Sequence, residues 1–195
     1  HESMFIVDSI QAGLRAQGVL SIVDYPGFES LDPPDMESYS KALNAGQYPL
    51  SVLALSERAA SVFRHGVYGN TMTTNPRGLD IAVTVLEAFT PALRSNIRKR
   101  GAELVERLEA LATELGDAIT GVQGTGLLFS CELADRFKVY GTNSTEDYLR
   151  RRGLGVIHGG AQSLRYTPRF EIGADEVDLI IELTRDALLN GPVSQ

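Results

Sequence analysis

The chain has 195 residues, 43% of them apolar and 22% charged, with a net charge of −7: an ordinary globular composition, long enough to bury a core. An acidic surface argues against nucleic acid and against an anionic membrane as partners. Cys131 is the only cysteine and His1, His65 and His158 lack metal-ligand spacing, so no disulfide framework and no metal site is expected. No run of about 18 apolar residues occurs in the sequence, and a reduced, cytoplasmic protein without a signal peptide is expected.

In chain order, Met4–Val7 is apolar on both faces and ends at Asp8, the pattern of a strand inside a parallel sheet. Such a strand needs a neighbour on each side and few candidates follow, so the chain is expected to be the later portion of something longer. Ligand sites in open parallel sheets lie at the carboxyl ends of strands, which is where Asp8 stands. A polar loop with Gln11, Gly13, Arg15 and Gly18 comes next, then a short helix or strand at Val19–Val23. The prolines and glycine of Tyr25–Asp35 impose irregular structure.

The stretch Tyr39–Leu50 carries Lys41, one of three lysines against 15 arginines. Lys99 and Lys138 stand among other charges, whereas Lys41 lies between Ser40 and Ala42-Leu43. Two readings of these residues stand. A partly desolvated amine is biased to its neutral, nucleophilic form and attacks carbonyls, while a surface lysine packs its stem and keeps its head in water.

Leu50–Leu55 reads as a strand and Ser56–Phe63 as a helix capped by Ser56. The hydroxyl- and amide-rich segment Gly66–Pro76 suits neither core nor helix, and Pro76 is placed to begin a long helix. That helix breaks or kinks around Pro91, and from Asn96 to Leu115 an apolar stripe opposes Glu and Arg. Beyond Gly116, a glycine-containing approach at Val122–Gly126 leads to a strand at Leu127–Leu133. A helix at Glu146–Arg152, strands at Val156-Ile157 and Leu164–Thr167, and a closing helix at Asp175–Leu189 complete an α/β chain with a small α+β end. The boundaries expected are 1–76, 77–115 for a linking helix, and 116–195.

A carboxylate at a strand end, an isolated lysine and a Thr-rich loop together fit pyridoxal 5′-phosphate (PLP). That cofactor needs an amine for its aldehyde, an anion beside its ring nitrogen and donors around its phosphate. Asp8 supplies the anion, Gln11 a neutral partner for the ring's phenolate oxygen, and Thr71 and Thr73 phosphate contacts.

Five segments then resemble the class III, acetylornithine/ornithine-type aminotransferases. Val7-Asp8-Ser9-Ile10-Gln11-Ala12-Gly13 is similar to D-E-[IV]-Q-T-G, and Ser40-Lys41-Ala42-Leu43…Gly46…Tyr48-Pro49 to S-K-A-L-G-G-G-Y-P. Gly69-Asn70-Thr71…Asn75-Pro76 resembles H-G-S-T-F-G-G-N-P, Val122–Glu132 resembles V-R-G-x-G-L-x-x-x-x-E, and Leu164-Arg165-Tyr166-Thr167-Pro168 resembles [IL]-R-F-A-P-P-L. The resemblance implies the C-terminal half of PLP fold type I: part of the large parallel-sheet domain, a long linking helix and a small C-terminal domain. It implies Lys41 as the catalytic Schiff-base lysine, Asp8 at the pyridinium nitrogen and Gln11 at the phenolate oxygen. Thr71 then reaches the cofactor phosphate of the neighbouring subunit in a homodimer with shared sites, and Arg165 stands near the substrate. Partners implied are an amino donor, a carbonyl acceptor and the missing N-terminal half, in a ping-pong transamination. The same scaffold hosts aminomutases and decarboxylases, and a truncated relative serving as a non-catalytic subunit is the other alternative.

The departures bear on substrate. Ser9 replaces a glutamate, which removes a charge beside Asp8, Arg15 comes one position early, Thr73-Thr74 replaces Gly-Gly, and Arg169 replaces a proline. The wording around Ser21–Tyr25, Ser40–Leu55 and Tyr68–Pro76 is most similar to the aminotransferase part of proteins making the alkylpyrrole of prodigiosin-type pigments, which implies a keto-aldehyde acceptor.

Overall fold

The computed structural model describes residues 3–67, 69 and 73–193, in two compact units, His1–Arg94 and Ser95–Gln195. The first holds a three-stranded sheet in the order β1 (Ile6–Asp8), β2 (Met36–Tyr39), β3 (Val52–Leu55). Strands β1 and β2 run parallel with Asp8 opposite Ser38, and β3 is antiparallel to β2, so the sheet is mixed rather than all parallel.

Two expectations about this sheet change. The opening strand reads as internal but lies at an edge: among the described residues β1 pairs with β2 alone, as the shortage of candidate neighbours led one to expect, and Phe5 and Ile6 are 60% and 58% exposed. Met36–Tyr39 is a strand that periodicity passed over. Its alternation is present, with Glu37 and Tyr39 buried and Met36 and Ser38 half-buried, but a glutamate occupies an inward position that pattern reasoning reserves for apolar residues.

Helix α1 (Glu57–Ala60) starts where Ser56 Oγ accepts from the Ala59 N–H at 3.1 Å. Helix α2 (Pro76–Ala88) starts where Asn75 Oδ1 accepts from the Arg77 N–H at 3.1 Å, with Pro76 in its first turn. Ala82 of α2 packs on Tyr39 and Leu43, with Leu20 and Leu50 around them. This cluster seats the segment that carries Lys41 against α2.

In the second unit, α3 (Pro91–Leu115, beginning in the first unit) buries Ile97, Gly101, Leu104, Leu108 and Leu111, the stripe that the helical period requires. An antiparallel sheet follows in the order β4 (Ile119–Thr125), β5 (Leu128–Leu133), β7 (Ser163–Tyr166), β6 (Ile157–His158). The glycine-containing approach is strand β4, which Gly121, Gly124 and a bulge between Ile119 and Gly121 disguise in the sequence. Helices α4 (Thr145–Arg151) and α5 (Ala174–Asn190) complete the unit. Phe129 and Tyr166 stack with centroids 5.1 Å apart, and the Tyr166 hydroxyl meets Thr184 Oγ1 at 3.0 Å. Arg169 pairs with Glu176 in the first turn of α5 through two bonds of 3.0 Å.

Gly101 marks the closest approach of α3 to the β4–β5 turn. A Cβ there would sit 2.1 Å from the Gly126 carbonyl oxygen, which is backbone and cannot swing away. Gly101→Ala gains about 1 kcal/mol in helix propensity but must push the helix off the turn, at a cost of about 3 kcal/mol. The clash wins, and urea or thermal denaturation of the variant is expected to show a net loss of roughly 2 kcal/mol.

Candidate active site

Lys41 owes its position to a loop pinned at both ends. Ser40 Oγ donates to the Leu50 carbonyl at 2.5 Å, and Asn44 Nδ2 reaches the same oxygen at 3.4 Å. A 3₁₀ turn over Lys41–Asn44 buries Leu43, and Ala45 and Gly46 at φ 50° and 70° reverse the chain. Lys41 itself sits at φ 44°, a left-handed conformation that costs a non-glycine residue of order 1 kcal/mol or more and is concentrated at functional sites. Within the described residues its amine is exposed, as in the surface reading of its sequence neighbours and not as in the desolvated one.

The Lys41 amine donates to Gln11 Oε1 at 2.6 Å. That contact joins the loop after β1 to the turn after β2, at the carboxyl ends of two parallel neighbours. Asp8 ends β1 with an exposed carboxylate whose Oδ1 accepts from the Ile10 N–H at 3.0 Å and from Ser38 Oγ at 3.2 Å. Asp8, Gln11 and Lys41 thus lie at one end of one sheet. Ser38 belongs with them, and only its pairing partner in the sheet reveals it.

The loop that carries Gln11 is more tightly packed than its polar sequence suggests. Leu14 and Ala16 are buried, and Gly13, Leu14 and Ala16 donate their N–H groups to Ser9, Val19 and Ala12 at 2.8, 2.7 and 2.8 Å. Burial pushes the half-buried Arg15 guanidinium down from its ordinary value.

Behind this loop lies a group that the sequence did not single out. Glu37 is 3% exposed; its Oε1 accepts from Ser9 Oγ at 2.5 Å and from the Ile22 N–H at 3.0 Å, and its Oε2 from Ser21 Oγ at 2.6 Å. Burial raises the carboxyl, and the hydrogen bonds from Ser21, Ser9, Ile22 and Tyr39 together bring it below its ordinary value. Ser9, which stands where the resembling motif carries a glutamate, thus donates its hydroxyl to a carboxylate of the next strand. Tyr39, beside it, is pushed up to about 12, first by burial and further by Glu37.

The other candidates are placed as follows. Thr71 lies outside the described residues. Thr74 is described, at φ 58° with its hydroxyl on the Thr73 carbonyl at 2.7 Å. Arg165 belongs to β7 in the second unit, half-buried, with its guanidinium 3.2 Å from where a Gly159 Cβ would lie. Among the described residues no carboxylate pairs with its side chain. Burial pushes the Cys131 thiol to about 12, away from any nucleophilic role. No metal-binding cluster occurs among the described residues, and no helix among them is long and apolar enough to cross a membrane.

These groups fit PLP. An exposed amine faces the amide of Gln11, whose Nε2 has no partner among the described residues and stays available as a donor. An exposed carboxylate is held at the same sheet end by two donors.

The family described as aminotransferase class-III matches residues 1–188. The succinylornithine transaminase of Citrobacter koseri is 29% identical over 178 residues, 91% of this chain and 42% of that protein. The structure of Plasmodium falciparum ornithine δ-aminotransferase superposes with a TM-score of 0.82 at 26% identity, covering 95% of this chain and 46% of that one. An ornithine aminotransferase from Toxoplasma gondii, described with PLP at its active site, superposes with a TM-score of 0.79 at 25% identity, over 95% of this chain and 43% of that one. The chain therefore spans less than half the length of these relatives, and its architecture is that of the C-terminal half of PLP fold type I.

Proposed function

Because this chain belongs to the class III aminotransferases, whose members depend on PLP, we propose that it forms the lysine-bearing part of a PLP-dependent aminotransferase. The segment that fills out its relatives' length completes the enzyme in this reading. The observation that carries the proposal is the Lys41–Gln11 contact at 2.6 Å, made at the sheet end that also presents Asp8.

When bound, the cofactor supplies an aldehyde for the substrate's amine and a cationic ring that accepts electrons from the substrate's α-carbon. Asp8 would provide the negative charge for the ring nitrogen, and Ser38 and the Ile10 N–H hold its carboxylate in place. Gln11 orients the Lys41 amine through its carbonyl and would offer its N–H₂ to the ring oxygen. Lys41 Nζ would take the proton from the donor's α-carbon, hold it as an ammonium, and give it up to the cofactor's adjoining carbon, which is general acid–base work. Its backbone is left-handed and the residue is exposed. Arg165, which has no carboxylate partner among the described residues, would suit the carboxylate of the amino donor. Two copies of the enzyme share sites, with Thr71 of one at the phosphate bound by the other.

Ser9, Thr73-Thr74 and Arg169 depart from the ornithine-type motifs, and with the pigment-type wording they favour a keto-aldehyde acceptor whose aminated product cyclises. The test uses the full enzyme containing this chain. Amino donors should change the bound cofactor's absorbance without any acceptor, and a keto-aldehyde should then restore it with formation of an amine. Release of carbon dioxide, or an isomerised amino acid as the only product, would assign a different PLP reaction. Absence of cofactor in the purified enzyme would assign a subunit without catalysis.

A further inference from the structure

We propose that Glu37 is a positioning residue for the active site: a buried carboxylate that clamps both ends of the loop carrying Gln11 and so holds Gln11 against Lys41. The loop leaves the sheet at Ser9 and comes back beside Glu37 of β2 at Ser21–Ile22. Glu37 accepts from the hydroxyl of Ser9 at one end, and from the hydroxyl of Ser21 and the N–H of Ile22 at the other. A third hydroxyl, that of Tyr39, also serves it.

A carboxylate buried with neutral donors alone is costly unless those donors are well placed. Here one group satisfies three donors of the loop, from two places that are 12 residues apart, besides the Tyr39 hydroxyl. An apolar residue at 37 would leave those donors buried and unpaired, and would free the loop ends from each other.

The placement is indirect by geometry. Residue 37 pairs with Val7, and Ser38 pairs with Asp8, so Glu37 points to the sheet face opposite Asp8. Its reach to the site runs through the loop. Ser9 Oγ is fixed by Glu37 while its carbonyl holds the Gly13 N–H at 2.8 Å, and Gln11 stands between those two residues. The Leu14 N–H to Val19 carbonyl bond at 2.7 Å closes the loop inside the clamp. Loss of the clamp therefore moves Gln11, and with it the orientation of the Lys41 amine. A misplacement of about 1 Å at a catalytic group is enough to slow turnover 10²-fold.

This inference rests on the reading of Lys41 as the catalytic amine, and the test separates the two. In the full enzyme, Glu37→Gln keeps the side-chain shape and one acceptor oxygen. Turnover is expected to fall about 10- to 100-fold, with the donor's KM within about threefold of the original. Combined with Gln11→Ala, Glu37→Gln is expected to add nothing further, because both act through one contact. Without any substrate, hydrogen exchange at the Gly13, Leu14 and Ala16 amides should speed up roughly tenfold while α5 keeps its protection. If Glu37→Gln fails to fold, Ser21→Ala, which opens only the far end of the clamp, is expected to show the same pattern at several-fold size. Effects that multiply with those of Gln11→Ala, or native turnover and exchange in an enzyme that still requires Lys41, would overturn the inference. An enzyme that turns over without Lys41 would instead overturn the reading beneath it.

Discussion

Lys41→Ala, made in the full enzyme, is expected to lower kcat at least about 10⁴-fold, because it removes both the nucleophile and the proton carrier of the reaction. The fold should survive. Lys41 is exposed, and the turn that carries it is held by Leu43, Ser40 and Asn44 rather than by its own side chain. Alanine at φ 44° keeps whatever backbone strain lysine bears, so denaturation midpoints should move little. Lys41→Arg tells nucleophile from charge: it keeps the cation near Gln11, but guanidinium neither deprotonates nor forms the covalent link. It is expected to be as inactive as alanine. Recovery of substantial turnover in Lys41→Arg would mean that the residue only attracts an anion. Treatment with borohydride followed by mapping of the modified peptide should place PLP on residue 41 in the original enzyme and on neither variant.

What could be read from the sequence follows from which forces leave a local pattern. Helices α2, α3 and α5 were legible because burial at a 3.6 period and an Asn75-Pro76 start are written in adjacent residues. Strand β2 was not, because Glu37 breaks the apolar alternation that a strand is recognised by. That glutamate is tolerated through Ser9, Ser21 and the Ile22 N–H, which lie up to 28 residues away in the chain. Strand β4 was hidden by glycines, of which Gly124 is required because a Cβ would meet Phe129 at 2.3 Å. Strand β1 was legible as a strand but not as an edge, since its exposed apolar faces depend on what else is present.

The same distinction runs through the site. Asp8, Gln11 and Lys41 could be proposed as a set from residue type and spacing, yet the bond from Lys41 to Gln11 spans 30 positions and needed a fold to appear. The small and apolar neighbours of the lysine in sequence left a desolvated amine and a surface amine both open. Those neighbours turn inward, Leu43 to the core with Tyr39 and Ala82, and leave the amine outside. Sequence neighbours fix the backbone of such a residue, and its solvent exposure is set by whatever packs over it.

Asp8→Asn carries the second large effect, and it isolates charge from geometry. Asparagine keeps an oxygen to accept from the Ile10 N–H and Ser38 Oγ, so the strand end should hold its shape. What it loses is the anion. In a site where that anion balances a ring cation, a single fixed electrostatic contact is worth roughly 10²- to 10³-fold in kcat, and that is the loss expected. Cofactor retention on dialysis should also weaken, while stability of the cofactor-free enzyme should not. Asp8→Glu keeps the charge but adds a methylene, which moves the carboxylate away from Ser38 and the Ile10 N–H. Its rate is expected to fall between those of Asn and Asp. Equal rates for Asn and Asp would assign Asp8 to closing the β1 end through its two hydrogen bonds, because a contact that depends on charge cannot survive the exchange of carboxylate for amide.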